Sequence, residues 1–242
     1  MTAETNKQLD KKILVVGSID YGYAIEGLGK LIEDAKDFFE KPEDFSLVLF
    51  TGGADVSPEL YGDTSPKGYC VDHPARDAFE GEIFNHARKH GVHMTGICRG
   101  SQFLNVMSGG RMMHHITNHG VEHSFASHRN EEIIQVSSTH HQMAIPGEGG
   151  HVVGWSAQRR SKTYIGFADT AEDYDGPEVE AILYPSTLCF GVQYHPEFLR
   201  RASAGYQWYW QAIKEFITLP IDEFTKLYTG SENARIAVGS NA

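Results

Sequence analysis

Cysteine is scarce in this 242-residue chain: Cys70, Cys98 and Cys189 are widely scattered, and no CxxC pair occurs. That excludes a disulfide scaffold and a cysteine-built zinc knuckle, and it makes a reducing, cytoplasmic setting the expectation. Basic runs are also missing. Lys and Arg number 21 against 32 Asp and Glu, a formal charge of −11, which excludes a non-specific nucleic-acid or acidic-membrane surface. No apolar run is long enough to span a bilayer, and residues 1–12 are polar, without the apolar centre of a secretory signal. Repeats and linker-like stretches are absent as well. One catalytic domain over 12–219 is expected, with a polar lead at 1–11 and a C-terminal extension at 220–242 ending in a loose polar tail.

The first half has the βαβαβα order of an α/β protein. Lys12 to Ile19 and Phe45 to Phe50 are continuous apolar runs, as expected of parallel strands buried on both faces. A glycine-rich loop and a helix from about Gly29 to Glu40 are predicted between them. Residues 57–73, with Pro58, Gly62, Pro66 and Gly68, predict a long surface loop of the kind that borders active sites. Ala75 to His90 predicts a helix with an apolar stripe of Phe79, Ile83, Phe84 and Ala87, stopped by Gly91. From Arg111 the pattern turns β-rich, with short strands predicted at 111–116, 131–137, 151–156, 179–184 and 188–193. A last helix at 202–219 carries Tyr206, Trp208, Tyr209, Trp210 and Phe216, which predict core packing, a homodimer face being the alternative.

Chemistry concentrates at Thr95-Gly96-Ile97-Cys98-Arg99-Gly100, where a buried strand (93–97) meets an apolar helix. This is the strand–turn–helix context of a nucleophile elbow, with Cys for Ser. Glycines on either side allow a turn too tight for a Cβ, and a thiol at a helix N-terminus is favoured as thiolate. A Cys nucleophile needs a base, a group that orients the base, and donors for an oxyanion. His195 follows an apolar strand at the sheet edge where α/β proteins place their sites, and Glu197 lies two residues on, able to fix the imidazole tautomer. The amides of Gly53, after the second strand, and Arg99, directly after the thiol, are the oxyanion candidates.

Gly96-Ile97-Cys98-Arg99-Gly100-x-Gln102-x-x-Asn105-Val106 followed by Tyr194-His195-Pro196-Glu197 resembles the class I glutamine amidotransferase family. Within it the likeness is to the γ-glutamyl hydrolase branch, the peptidase C26-like group that includes γ-glutamyl-γ-aminobutyrate hydrolase. That branch is also similar at Gly52-Gly53-x-Asp55-Val56-x-Pro58, at Arg76-Asp77-x-Phe79-Glu80, at Ser138-x-His140-His141-Gln142 and at Val179-Glu180-Ala181. The resemblance implies a flavodoxin-like α/β sandwich, its mostly parallel sheet flanked by helices, with a small additional β element. It implies a Cys98–His195–Glu197 triad, an oxyanion hole at Gly53 and Arg99, and contacts from Gln102, Ser138, His140, His141 and Gln142 to the α-amino and α-carboxylate groups of a γ-glutamyl substrate. The implied reaction passes through a γ-glutamyl thioester and releases glutamate with ammonia or an amine, without a cofactor. Arg99 stands where biosynthetic relatives commonly have Leu, and Ser101 where His is frequent; both favour the hydrolase branch. A glutaminase subunit serving a separate synthetase, a silent binding protein on the same fold, and a general thiol peptidase are the alternatives.

Other residues admit plainer roles. Cys70 reads as an incidental loop residue and Cys189 as core. Arg76, Asp77 and Glu80 read as the acid-favouring first turn of a helix. Asp55 fits either a loop cap or the substrate border. His114, His115, His119, His123 and His128 crowd together, with His115, His119 and His123 at helical ligand spacing. Gly109-Gly110, Thr117-Asn118 and Gly120 make a helix there implausible and HExxH is absent, so no metal site is expected.

Overall fold

Both faces of the strands β1 (Lys12–Val16) and β3 (Phe45–Phe50) are covered, which is why their sequences are apolar without alternation. Leu14, Val16, Val48 and Phe50 enter one core layer and Ile13, Val15, Leu47 and Leu49 the other. The computed structural model describes residues 8–63, 67–129 and 132–230. The residues expected to form most of the polar lead and the loose tail, and parts of the 57–73 loop and the 131–137 strand, lie outside that set.

A nine-stranded sheet organises the chain in the order β2-β1-β3-β4-β13-β12-β10-β7-β8. The strands β2 (Lys30–Ile32), β1, β3, β4 (His93–Ile97) and β13 (Cys189–Val192) run parallel. From there β12 (Val179–Tyr184), β10 (His151–Ser156), β7 (His123–Ser127) and β8 (Ile134–Val136) continue it antiparallel. Two small ribbons pair β5 (Arg111–Met113) with β9 (Met143–Ile145), and β6 (His115–Ile116) with β11 (Tyr164–Ile165). One face is covered by α1 (Ala35–Glu40), α2 (Pro74–His90) and α3 (Arg99–Met107), through Phe38, Ile83, Phe84, Phe103 and Leu104. The other is covered by α4 (Ala204–Thr218) and α5 (Ile221–Thr229), through Trp208, Tyr209, Ile213, Phe216, Phe224 and Tyr228. The aromatics of α4 other than the half-buried Trp210 are therefore core. No helix among the described residues is long and apolar enough to cross a membrane.

Several expectations are corrected. The helix predicted over 29–40 is a parallel edge strand plus a shorter helix: Lys30–Ile32 pairs with β1, and helix begins only where the Asp34 side chain accepts from the Lys36 amide at 2.9 Å. The stripe on α2 is misplaced at its start. Phe79 is 48% exposed, and Asp77 and Glu80 are buried in its stead. They are not simply first-turn acids, because both are ion-paired to the buried guanidinium of Arg99. Cys70 is also buried, its thiol donating to the Val56 carbonyl at 3.6 Å. Residues 111–116 split into β5 and β6. The strands β7, β9 and β11 escape sequence inspection because they are short and lack a clean period, and the helix α5 escapes it because its pattern of Ile221, Phe224 and Tyr228 spans only nine residues.

Candidate active site

Cys98 sits where β4 ends and α3 begins, with φ 54° and ψ −113°, a conformation rare for a residue with a Cβ. Its amide donates to the Val192 carbonyl of β13 at 2.9 Å, which pins the turn to the neighbouring strand. The flanking glycines are sterically required. A Cβ on Gly96 would stand 2.3 Å from the carbonyl carbon of Gly100, and one on Gly100 would stand 2.1 Å from the Phe50 carbonyl oxygen. The thiol therefore projects from a strained turn held against three strands. Its amide neighbour, Arg99 N–H, is a first-turn helical donor with no acceptor inside the helix.

His195 follows β13 and lies in the same mouth of the sheet. Its Nδ1–H donates to Glu197 Oε1 at 2.6 Å, from a 3₁₀ turn at Pro196–Phe198 and not from extended backbone. Ser137 clamps the His195 backbone twice: its hydroxyl donates to the carbonyl at 2.6 Å and accepts from the amide at 3.1 Å. The Phe198 ring stacks on the imidazole at 4.7 Å and 7°. Burial works against a charged imidazole here, but the interactions with Cys98 and Glu197 outweigh it and push the His195 pKa up to about 9. Tyr21 also borders the site. Burial, then the charges of Glu197 and Cys98, push its hydroxyl up to about 12.

Next to the thiol is a cavity of about 260 Å³ lined by Gly53, Ala54, Asp55, Val71, Cys98, Arg99, Gln102 and residues 139–142. Gly53 and Arg99 therefore both border it. The loop of Gly53 is braced from below, because Arg76 donates to the Thr51 carbonyl at 2.9 Å, to the Gly52 carbonyl at 3.0 Å and to Glu80 at 2.7 Å. Glu80 and Asp77 in turn hold the Arg99 guanidinium. Burial, with Arg76 adding to it, pulls Arg99 down to about 10. A four-charge cluster thus ties the Gly53 loop to the residue after Cys98, and both residues border the cavity.

The five residues expected to touch substrate divide. Gln102 lines the cavity and donates to Gln193 Oε1 at 3.1 Å. Gln142 is fully buried at the wall, its side chain beside the Cys70 thiol. His141 is half-exposed at the mouth, 3.4 Å from Asp55. Asp55 both borders the cavity and accepts from the Val71 amide at 2.8 Å, so its two alternative roles coexist. Ser138 does not line the cavity; its hydroxyl donates to the His119 carbonyl. The ring of His140 also points elsewhere, with Nδ1–H donating to the Gln142 carbonyl at 2.8 Å and Nε2 facing Glu180. Thr139, inside the same motif but outside the expected contacts, places its hydroxyl 2.8 Å from His195 Nε2. Only the unspecified position of Ser-x-His-His-Gln could have pointed to it. Residues 114–128 are strands and turns, as the glycines require, but the fold still brings His119 and His123 together.

A parallel sheet carrying a thiol on a strand-to-helix turn, with a carboxylate-held histidine on the next strand, is the architecture of the class I glutamine amidotransferases. Solved structures agree on the fold. A protein from Thermoplasma acidophilum, provisionally described as one subunit of GMP synthase, superimposes with a TM-score of 0.58 at 15% identity, covering 86% of this chain and 94% of that one. PurLQS from Thermotoga maritima gives 0.54 at 16% identity, covering 86% and 99%. The Peptidase C26 family profile matches residues 32–197, and the chain belongs to that family. A provisionally named glutamine amidotransferase of Mycobacterium tuberculosis is 30% identical over 154 residues, 62% of this chain and 50% of that protein. A glutamine amidotransferase-like protein of Lactococcus lactis is 32% identical over 157 residues, 62% of this chain and 65% of that one. The alignments thus span half to two-thirds of these relatives' own length.

Proposed function

We propose that the chain hydrolyses a γ-glutamyl amide, glutamine or a γ-glutamyl amine, with Cys98 as nucleophile, His195 as acid and base, and Glu197 orienting His195. The observation that carries this is the strained Cys98 turn beside a histidine whose far nitrogen is held at 2.6 Å by Glu197. The thiolate attacks the γ-carbonyl, and the oxyanion receives the amides of Gly53 and Arg99. His195 gives its proton to the departing amine, leaving a γ-glutamyl thioester. Water, deprotonated by His195, then releases glutamate and restores the thiol. Gln102 and Gln142 are the side chains suited to the α-amino and α-carboxylate groups, because both residues line a cavity of small-substrate size and carry carboxamides able to donate and to accept.

The test is glutamate release by the isolated chain from glutamine and from a panel of γ-glutamyl amines, compared with ordinary peptides. No γ-glutamyl turnover, or equal turnover of peptides, overturns the proposal. A pH profile adds a signed prediction. His195 must be protonated to release the amine, and its pKa is raised to about 9, so kcat/KM should fall as pH rises through about 9. Glu197→Gln removes an anion that favours the imidazolium, so this limb should move to lower pH; an unmoved limb would remove Glu197 from the assignment. Supply of ammonia to a separate synthetase is a second reading, prompted by neighbours named for PurLQS and for GMP synthase. Brisk turnover without a partner argues against it.

A further inference from the structure

His119, His123, His140 and Glu180 form a second constellation, which the proposed hydrolysis does not use. All four are buried. His119 and His123 come from the segment entering β7, His140 from the loop before β9, and Glu180 from β12. His119 Nδ1, His123 Nε2 and His140 Nε2 stand 3.2, 2.9 and 3.3 Å from the same atom, Glu180 Oε1.

The outer nitrogen of each ring is already engaged. His123 Nδ1 faces the Val121 carbonyl at 3.2 Å, and His140 Nδ1 faces the Gln142 carbonyl at 2.8 Å. A carbonyl only accepts, so both Nδ1 atoms carry the proton, and in a neutral ring each Nε2 is then a bare lone pair. His119 Nε2 faces Glu178 Oε2 at 3.1 Å. Glu178 is itself fixed, accepting from the amides of Arg160 and Ser161 and from the Tyr164 hydroxyl. Three ring nitrogens with outward-held partners thus converge on one carboxylate oxygen in a site without water access. Lone pairs aimed at an anion repel, and supplying every ring with a second proton would set three buried cations against the two carboxylates Glu178 and Glu180. Among the described residues, moreover, Glu180 Oε2 and His140 Nε2 have no hydrogen-bond partner.

A cation resolves this arrangement. We propose that His119 Nδ1, His123 Nε2, His140 Nε2 and Glu180 bind one divalent transition-metal ion, zinc by donor chemistry, as a closed structural site. Three imidazoles and one carboxylate are a zinc donor set, and bonds of about 2.0–2.1 Å in a tetrahedron place donor atoms roughly 3.3 Å apart. The ligand atoms of His119, His123 and Glu180 all lie within 4.8 Å of one another, so small rotations suffice. Carbonyl and carboxylate partners behind the rings are the outer shell that fixes metal-bound histidines. The ion would tie the 117–123 segment and β12 to the 137–142 loop, whose Thr139 touches His195 and whose Gln142 lines the cavity.

Titration of the chelator-stripped full chain with Zn²⁺ and Co²⁺ tests this. A Cys98→Ser version run in parallel keeps the catalytic thiol from holding the ion. One equivalent should bind to both, Co²⁺ should give the intense visible bands of a tetrahedral site without a thiolate charge-transfer band, and saturating Zn²⁺ should raise Tm by about 8 °C or more. His123→Gln should bind neither ion at that strength. Should His123→Gln not fold, the cobalt spectrum of the Cys98→Ser chain decides alone. No bound equivalent, an octahedral spectrum, or binding lost with Cys98→Ser overturns the proposal. Failure here leaves the hydrolase assignment untouched, because that is read from glutamate release.

Discussion

Cys98→Ala should reduce glutamate release by about 10,000-fold or more while the protein melts within a few degrees of the unaltered chain. The first half follows from the role of the thiol: without a nucleophile no thioester forms, and what remains is the binding and oxyanion contribution. The second half follows from the turn. Alanine keeps the backbone, the Val192 contact to the 98 amide and the packing of α3, and removes only one partly buried sulfur at the edge of the core. The comparison separates chemistry from folding. Activity retained in a well-folded Cys98→Ala chain would remove Cys98 from the site.

Arg99→Met should cost about 3–5 kcal/mol and lower Tm by roughly 10 °C or more. The guanidinium is 1% exposed and faces Asp77 and Glu80, which are equally buried, with Arg76 completing a balanced set of two cations and two anions. Removing one cation strands a carboxylate charge in the core, and that penalty exceeds the modest worth of the intact pair. Neutralising the one surplus anion as well, Arg99→Met with Asp77→Asn, should recover much of the loss, because Arg76 and Glu80 remain paired. The backbone amide survives in Arg99→Met, so the folded fraction should still turn over substrate in the cold. A single substitution that melts like the parent would show that the cluster holds nothing together.

The parts of the fold and site that could be read from the sequence share a property: their constraint is local. β3 is a continuous apolar run because both its faces are buried, and the Cys98 turn is marked because Gly96 and Gly100 permit what no other residue could. His195 and Glu197 are two residues apart, so their contact is nearly guaranteed. What could not be read depends on contacts distant in the chain. Asp77 and Glu80 look like ordinary first-turn acids until Arg99, about twenty residues on, is packed against them. Lys30–Ile32 is a strand only because β1 lies beside it; alone it continues a helical pattern. The side chain of His140 looks like a substrate contact in its motif, but Glu180, forty residues later, turns it inward. Thr139, a position the motif leaves open, arrives 2.8 Å from His195 by the same folding of the 137–142 loop. The spacing of His115, His119 and His123 carries no hint of His140 or Glu180, which two other segments bring beside His119 and His123.

The central claim is that Cys98 carries the γ-glutamyl group. Rapid acid quench of the chain turning over a γ-glutamyl amide, followed by intact-mass and peptide-level mass spectrometry, addresses it directly. A γ-glutamyl adduct is predicted on the peptide containing Cys98, discharged by hydroxylamine and absent from Cys98→Ala. Steady turnover with no adduct, or an adduct on Cys70 or Cys189, would contradict it.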